Sequence, residues 1–495
     1  MNSSMIRYIL GSVLKIEALL MLLPCIVSLI YEEYSGLYYL IVATICGFIG
    51  LAMTAKRPGS SVFYLKEGCV ATALSWIFMS IFGCIPFVLS GEIPSFTDAL
   101  FETISGFTTT GASILNDVEA LSHTSLFWRS FTHWIGGMGV LVFLLAIIPL
   151  SGGSNINLMR AESPGPSVGK LVPKMRHSAR ILYLIYVGMT VAEILLLSLA
   201  KMPIFDAITI SFGTTGTGGF GVLNSSMMSY GPYCQWIVTL FMILASINFN
   251  AYYFIIFKEY KKAFGMEEVR CFLIIILVSV GIIFFDILAL FDNAFDALTH
   301  SAFQVASLIS STGFATADFN VWPQTSRTLL VLLMLIGACA GSTGGGIKVS
   351  RFVILIKTVF KELKSYLHPK NIKKIKMDGK AIEHEVVRTT NVYFITFFIL
   401  FAFSVFLLSF EGKDLVTNFT AVVATMNNIG PGLELVGPTQ NFAGFTDFSK
   451  YVLMFNMLAG RLELFPILIL FIPSIWKDML TKKIGERRKD KRAAE

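Results

Sequence analysis

Four short glycine-containing loops recur along the chain, and they contain the residues best suited to binding an ion. Their glycines are Gly111, Gly219, Gly313 and Gly430, separated by 108, 94 and 117 residues. Glycine tolerates positive φ angles, so successive backbone carbonyls can turn toward a common axis. A ring of carbonyl oxygens can replace the hydration shell of a potassium ion. Four such loops around one axis therefore predict a cation pore.

A short amphipathic segment, too short to cross a bilayer, precedes each glycine loop. From the segment's aspartate to the loop glycine there are 13 residues in the first and second copies (Asp98 and Asp206) and 17 in the third (Asp296). The third segment should therefore be one helical turn longer. A lone glycine in a membrane protein usually serves helix packing. Four in matching register favour a repeated unit of span, half-helix, glycine loop and span.

The overall composition requires a membrane. Hydrophobic residues make up 55% of the 495 residues, charged residues only 14%, and the mean hydropathy is +0.70. A soluble domain carries about 25% charged residues. This difference excludes a soluble enzyme, a nucleic-acid binder and a disordered protein. The seven cysteines are odd in number and form no CxxC pair, which argues against a disulfide framework or a zinc site.

Ten apolar stretches are long enough to cross the hydrocarbon core, which takes roughly 20 helical residues. They cover approximately residues 8–30, 36–56, 68–90, 126–150, 181–200, 235–257, 271–291, 328–347, 390–410 and 451–476. The first stretch contains Lys15 and Glu17 and lacks a clear small-residue cleavage site, so we interpret it as a retained span rather than a signal peptide.

Basic residues alternate between successive connections. Of the 39 Lys and Arg residues, 33 fall in segments assigned to one side, five in connections on the other side, and Arg461 within a span. The positive-inside rule then places both termini in the cytoplasm. Attraction to anionic lipid head groups, worth about 1 kcal/mol per residue, also accounts for part of this basic character.

The eighth stretch contains a glycine-rich interruption. It consists of Gly341, Ser342, Thr343, Gly344, Gly345 and Gly346. Each glycine costs about 1 kcal/mol relative to alanine inside a helix, so a stable helix is not expected here. Irregular backbone at membrane depth is tolerated where it lines a water-filled cavity. We interpret this segment as a flexible loop that gates the path under the filter, with a plain hinge as the alternative. A phosphate-binding loop is disfavoured because Ile347 separates Gly346 from Lys348.

Arg461 is a charged residue within the last span. A charge at that depth costs several kcal/mol unless it faces a cavity or a partner. Its functional interpretation is an electrostatic barrier near the glycine-rich interruption. The structural alternative is a pair with Glu463 or with free carbonyls, and both interpretations are compatible.

Other polar residues in the spans are weaker candidates. Asn248 and Asn250 are candidates either for lining an inner cavity or for bonding to a neighbouring helix, and Glu102 and His133 are candidates for bracing the first pore unit. The histidines and carboxylates have no metal-ligand or nucleophile–base spacing, so no catalytic chemistry is assigned.

Four motifs resemble those of the Trk/Ktr/HKT superfamily of potassium transporters. They are Thr108-Thr-Thr-Gly-Ala112, His133-Trp-Ile-Gly-Gly-Met-Gly139, Gly337-Ala-Cys-Ala-Gly-Ser-Thr-Gly-Gly-Gly-Ile-Lys348 and Asn428-Ile-Gly-Pro-Gly432. The chain is most similar to the TrkH branch, because two spans precede the first repeat. The resemblance extends over nearly the whole chain.

The resemblance implies an all-α integral membrane protein with four pseudo-symmetric membrane–pore–membrane repeats around one ion pore. Two extra N-terminal transmembrane helices precede the repeats. The implied domains are an N-terminal hairpin at 1–60, pore repeats at 61–175 and 176–265, a third repeat with the gating loop at 266–385, and a fourth with a basic tail at 386–495.

The resemblance also implies a potassium filter made of four loops. Loop 1 is Thr109, Thr110, Gly111 and Ala112; loop 2 is Thr217, Gly218, Gly219 and Phe220; loop 3 is Ser311, Thr312, Gly313 and Phe314; loop 4 is Asn428, Ile429, Gly430 and Pro431. Sodium-preferring members replace the first glycine by serine, so Gly111 favours potassium. No loop is a full TVGYG, so fewer ion sites are expected than in potassium channels. The implied gate comprises residues 341–346, Lys348 and Arg461.

The implied function is gated potassium uptake across the bacterial inner membrane, with potassium as substrate and no cofactor in this chain. The resemblance further implies a homodimer and a cytosolic TrkA-type nucleotide-binding regulatory subunit. The longest inner connection, about 350–388, is too short to form a nucleotide-binding domain itself. The alternative function is potassium symport with protons or sodium by alternating access. Four repeats of one orientation favour a continuous pore over that alternative.

Overall fold

The computed structural model of the chain describes residues 1–58, 64–139, 175–368 and 374–476, and it leaves the side chains of 175–179 undescribed. Within these ranges, six helical stretches are long and apolar enough to cross a membrane. They are Ser3–Ile30, Gly36–Thr54, Leu65–Ser90, Arg180–Leu199, Glu267–Leu290 and His384–Glu411. A bent pair, Pro232–Ser246 with Phe249–Ile256, makes a seventh if it is counted as one span.

The chain begins with two helices that pack closely against each other. The first is interrupted at Met21, giving Ser3–Leu20 and Leu22–Ile30, and the second is Gly36–Thr54. Pro24 accounts for the interruption because it has no N–H to donate to the preceding turn. A β-carbon on Gly11 would lie 3.0 Å from the carbonyl oxygen of Gly50, so glycine at this crossing allows close backbone approach.

After this pair, the order long helix, short helix, loop and helix occurs four times. The long helices are Leu65–Ser90, Met175–Leu199, Glu267–Ile287 and His384–Leu408, with 3-10 turns at Leu288–Leu290 and Ser409–Glu411 ending the last two. The short helices, numbered 1 to 4, are Phe96–Phe107, Ile204–Thr215, Ala294–Ile309 and Leu415–Met426. Short helix 3 has 16 residues and the others 12, which confirms the extra turn predicted from the aspartate spacing.

The helices after the loops are short or broken. They are His123–Met138; Pro232–Ser246 and Phe249–Ile256, followed by Tyr260–Gly265; Gln324–Ile336 and Val349–Leu367; and Asp447–Arg461 with Phe465–Leu468. Three further 3-10 turns are Phe319–Val321, Glu434–Val436 and Ile469–Phe471, and one antiparallel hairpin pairs Lys376–Met377 with Lys380–Ala381.

Two predicted spans, 235–257 and 451–476, are wrong as continuous helices. The stretch 235–257 bends by 90° at its break. The stretch 328–347 leaves the helix at Gly337, whose φ is 73°, four residues before the predicted interruption. The stretch 451–476 breaks after Arg461, where Leu464 has a φ of 67°. The stretch 126–150 continues beyond residue 139, outside the described residues.

The bundle exposes apolar side chains and buries many of its hydroxyl groups, as expected for a protein in lipid. Leu29 on the N-terminal pair and Leu277 and Phe285 on the third long helix are 75–80% exposed, which suits contact with hydrocarbon chains. The loop ends of the short helices are buried and rich in Ser and Thr, as at Thr108, Thr215 and Ser310. Buried hydroxyl groups thus lie at the start of the four loops.

Candidate ion pore and glycine-rich loop

All four short helices end in the same backbone turn. The first residues of the loops, Thr109, Thr217, Ser311 and Asn428, have φ angles of 54°, 54°, 59° and 53°. The next residue in each case donates its N–H five residues back, at 2.9 Å from Thr110 to the Ser105 carbonyl. This is the Schellman ending of a helix. The four loops predicted from sequence therefore begin with one shared geometry.

The left-handed conformation of these first residues is unusual for their side chains. A β-branched residue such as Thr109 or Thr217 with a positive φ is a rare outlier. Such strain persists only where the surroundings impose it, and it concentrates at functional sites. Two residues further on, each loop glycine also has a positive φ, from 77° at Gly111 to 100° at Gly430.

The loops contact one another in a closed ring. A β-carbon built on each glycine would collide with or closely approach a carbonyl oxygen of the next loop: Gly111 that of Gly218, Gly219 that of Thr312, Gly313 that of Ile429, and Gly430 that of Thr110. The order is therefore loop 1 to 2, 2 to 3, 3 to 4, and 4 back to 1. We call this arrangement the ring.

Helix electrostatics favour a cation at the ring. Each short helix directs its C-terminal end into its loop, and helix C-termini carry partial negative charge. Acidic residues lie at the opposite ends, in the first turn at Asp98, Asp206 and Asp296 and at the N-cap position at Asp414. The side-chain hydrogen bond from Thr417 holds the pKa of Asp414 below its ordinary value, so the cap remains charged at neutral pH.

His133 joins short helix 1 to loop 2. Its Nδ1 lies 2.8 Å from the carbonyl oxygen of Gly106, and its Nε2 accepts the N–H of Phe220 at 3.2 Å. One ring nitrogen donates and the other accepts, which is the pattern of a neutral imidazole. The bracing role predicted for His133 thus has a defined geometry between two units.

Arg129 makes a second connection between the same units. Its Nε donates to Glu102 at 2.6 Å and its Nη1 to the carbonyl of Gly221 at 2.9 Å, while its guanidinium lies 3.6 Å from the centre of the Phe220 ring. Glu102 also accepts the backbone N–H of Ile114, just after loop 1, at 3.0 Å. This role of Arg129 is not identified from the sequence.

The signal for Arg129 was present in its spacing. Arg129 and His133 are four residues apart in one helix, so they occupy the same face. A charged residue at 3% exposure on the face that carries His133 requires a partner, and Glu102 supplies it.

The glycine-rich loop, residues 337–348, lies against loops 3 and 4. The N–H of Gly345 donates to the hydroxyl of Ser311, and the N–H of Gly346 donates to the carbonyl of Asn427 at 2.9 Å. A β-carbon on Gly344 would lie 2.6 Å from the carbonyl oxygen of Ser310. Small residues in this loop therefore allow it to approach the backbone at the ends of short helices 3 and 4.

Arg461 connects the glycine-rich loop to the first unit. Its Nη1 donates to the carbonyl of Thr343 at 3.0 Å, and its Nη2 donates to Gly137 at 2.9 Å and to Gly136. Glu463 forms an ion pair with Arg351. The sequence had left open a pair with Glu463 or a set of carbonyls, and the structure places the guanidinium on carbonyls.

Two other predicted residues lie beside these contacts. Lys348, 2% exposed, donates from its Nζ to the carbonyl of Gly344 within the same loop. The side chain of Asn248 accepts the N–H of Asn250 at 2.9 Å and so caps the helix that follows the 90° bend. Lining of a cavity by Asn250 stays a prediction.

The described part of the chain has no group of three or more His, Cys, Asp or Glu side chains arranged to hold a metal ion. The ring instead brings backbone carbonyl oxygens, which are neutral, close to the loop glycines. Such oxygens suit a monovalent cation that moves through, because binding without fixed charge is weak enough to permit release.

Comparison with known proteins identifies the family. The model of the TrkH family, described as cation transport protein, matches residues 40–483. The chain is 35% identical over 472 residues to the Trk system potassium uptake protein TrkH of Salmonella typhimurium, covering 92% of this chain and 96% of that one. Identity to the protein of the same name from Vibrio parahaemolyticus is 34% over 483 residues, covering 96% and 99%.

A solved structure agrees with this assignment. The crystal structure of the potassium transporter TrkH from Vibrio parahaemolyticus superposes with a TM-score of 0.86 at 32% identity, covering 96% of this chain and all of that one. The chain therefore belongs to the TrkH family of cation transport proteins, and it is a transporter and not an enzyme.

Proposed function

We propose that this chain takes up potassium across the bacterial inner membrane through a gated pore whose filter is the ring. The observation that carries the proposal is the closed cycle of contacts between each loop glycine and a carbonyl oxygen of the next loop. Carbonyl oxygens held in a ring at helix C-termini are the ligands that potassium requires after it loses its water. The relatives named as potassium uptake proteins support the same substrate.

The proposed filter residues are those of loops 1 to 4. Gly111, in the position where sodium-preferring relatives carry serine, favours potassium. In this proposal the four pseudo-symmetric repeats surround one axis, after the N-terminal hairpin, with the domain limits 1–60, 61–175, 176–265, 266–385 and 386–495.

The glycine-rich loop is the proposed gate. Its contacts with Ser311 and Asn427 set it against the ring, and it carries the buried cation of Lys348. Arg461 holds it from the last unit. A loop with two cations beside it opposes cation passage both sterically and electrostatically, so this position corresponds to a non-conducting state.

We further propose both termini in the cytoplasm, a homodimer, and control by a cytosolic TrkA-type subunit that binds nucleotides. The distribution of basic residues supports the orientation. The short inner connections support control by another chain, because none is long enough to form a nucleotide-binding domain.

Flux measurements on proteoliposomes test this function. We expect potassium to move down its own gradient with no pH or sodium gradient present, because a continuous pore needs no second ion. Strict dependence of potassium movement on an opposing or accompanying proton or sodium gradient would instead support coupled symport. Protein-free vesicles are the control for leak.

A further inference from the structure

The glycine-rich loop forms hydrogen bonds with the backbone at the break between Pro232–Ser246 and Phe249–Ile256. Three backbone bonds join them: Thr343 N to Ala245 O at 3.4 Å, Cys339 N to Ser246 O at 3.1 Å, and Phe249 N to Gly341 O at 3.0 Å. The hydroxyl of Thr343 adds a bond to the Ala245 carbonyl at 3.1 Å. The bent helix pair thus exchanges hydrogen bonds with the loop in both directions.

These hydrogen bonds satisfy backbone groups that each segment would otherwise leave without partners. A helix that breaks at membrane depth leaves carbonyls and N–H groups without partners, and each unsatisfied group costs several kcal/mol in hydrocarbon. Here the end of Pro232–Ser246 and the start of Phe249–Ile256 find their partners in the loop. The loop can leave this seat only when water or other groups replace those bonds.

One carboxylate joins the glycine-rich loop to the helix that follows it. Glu268 Oε1 accepts the N–H of Ala340 at 2.6 Å and the N–H of Ser350 at 3.1 Å. Glu268 is 4% exposed and belongs to the first turn of Glu267–Ile287. Both N–H groups donate to the same oxygen. That oxygen therefore connects the glycine-rich loop to the helix that follows it.

Glu268 also supplies a missing helix cap. The helix Val349–Leu367 begins after Lys348, whose side chain makes no capping hydrogen bond. The first N–H groups of a helix need an acceptor, and Glu268 provides one to Ser350 from a neighbouring helix. Loss of this acceptor frees the loop and the start of the following helix together.

We propose that Glu268 is the latch of the gate: a positioning residue that keeps the glycine-rich loop seated in the break at residues 246–249 and so stabilises the non-conducting position. This inference rests on the proposed gating function. Glu268 need not touch the ion. It acts through the backbone of Ala340 and Ser350.

Three substitutions of Glu268 test separately its hydrogen-bond acceptor, its negative charge and the length of its side chain. E268A removes the acceptor, and E268D keeps the charge but is one methylene shorter. E268Q keeps Oε1 without the charge. The matched control is E267Q, which removes the neighbouring carboxylate from its ion pair with Lys357 and leaves Glu268 unchanged.

In proteoliposomes without a regulatory subunit, E268A and E268D should raise potassium flux, by about tenfold for a change of roughly 1.4 kcal/mol in the closed state. E268Q and E267Q should match the unsubstituted protein. The potassium-to-sodium flux ratio should not change, because the ring is not altered. A merely structural defect would lower flux, so a rise with unchanged selectivity is specific to the latch.

The outcomes are distinguishable from failure of the proposed function. Unchanged flux in both E268A and E268D, with raised flux in R461A, would overturn the latch and leave the gate standing. Raised flux in E268Q would overturn the acceptor role of Oε1. An unsubstituted protein that carries no potassium would overturn the proposed function itself.

Discussion

Gly219→Ala is expected to abolish potassium flux. Its β-carbon would overlap the carbonyl oxygen of Thr312 in the next loop, and that atom is backbone with little room to move. The positive φ of 79° adds to the cost, yet Thr217 adopts 54° without being glycine, so conformation alone does not decide the outcome. The overlap decides the outcome, because the added β-carbon pushes loop 2 away from loop 3 and so opens the ring.

The expected size of this effect follows from the two costs. A left-handed non-glycine residue costs roughly 1–2 kcal/mol and overpacking about 1–3 kcal/mol. Their sum of about 2–5 kcal/mol corresponds to a loss of correctly formed filter of roughly thirtyfold to several thousandfold. Flux into proteoliposomes and growth of a potassium-uptake-deficient strain on low potassium measure it.

Gly188→Ala is the matched control for this prediction. Gly188 lies in the long helix of the same unit, and a β-carbon there would have no neighbour within 4 Å. We expect normal flux from this variant. Flux from Gly219→Ala at the level of Gly188→Ala would contradict the filter assigned to the ring.

Arg461→Ala is expected to increase potassium flux. The substitution removes a cation from the proposed path and also removes the bonds that tie Thr343 of the gate to Gly136 and Gly137 of the first unit. Hydrogen bonds to charged groups contribute about 1.5–3 kcal/mol each, so loss of one from the closed state alone predicts roughly a tenfold increase in open pores.

A lysine variant separates the two causes. Arg461→Lys keeps the charge but cannot donate in the same fork, so raised flux in both variants assigns the effect to the carbonyl contacts. Raised flux in Arg461→Ala alone assigns the effect to the loss of the charge. Arg327→Ala is the control, because Arg327 pairs with Glu434 on a different helix connection. Unchanged flux in Arg461→Ala would remove Arg461 from the gate.

The loops of the ring could be located from sequence because their signals are local. Glycine register and the aspartate spacing are set by helix periodicity, and the longer short helix 3 followed from four extra residues. The glycine-rich loop was found for the same reason. The loop starts at Gly337 rather than Gly341. This boundary depends on the backbone N–H groups of Ile347 and Lys348, which donate to the carbonyls of Leu335 and Ile336.

The break between Ser246 and Phe249 could not be predicted in this way. The sequence around it contains neither glycine nor proline, and the residues suit a continuous apolar helix. The helix breaks where a distant segment, the glycine-rich loop, supplies its hydrogen-bond partners. Such a feature arises from tertiary contacts, so it escapes an analysis of local pattern.

The most direct test of the filter is to locate ions in the protein by anomalous diffraction from crystals grown with rubidium in place of potassium. The account predicts rubidium on the axis of the ring, coordinated by carbonyl oxygens of loops 1 to 4. The ions should disappear from that position in Gly219→Ala and remain in Gly188→Ala. A transport-competent protein with rubidium bound elsewhere and none within the ring would contradict the account.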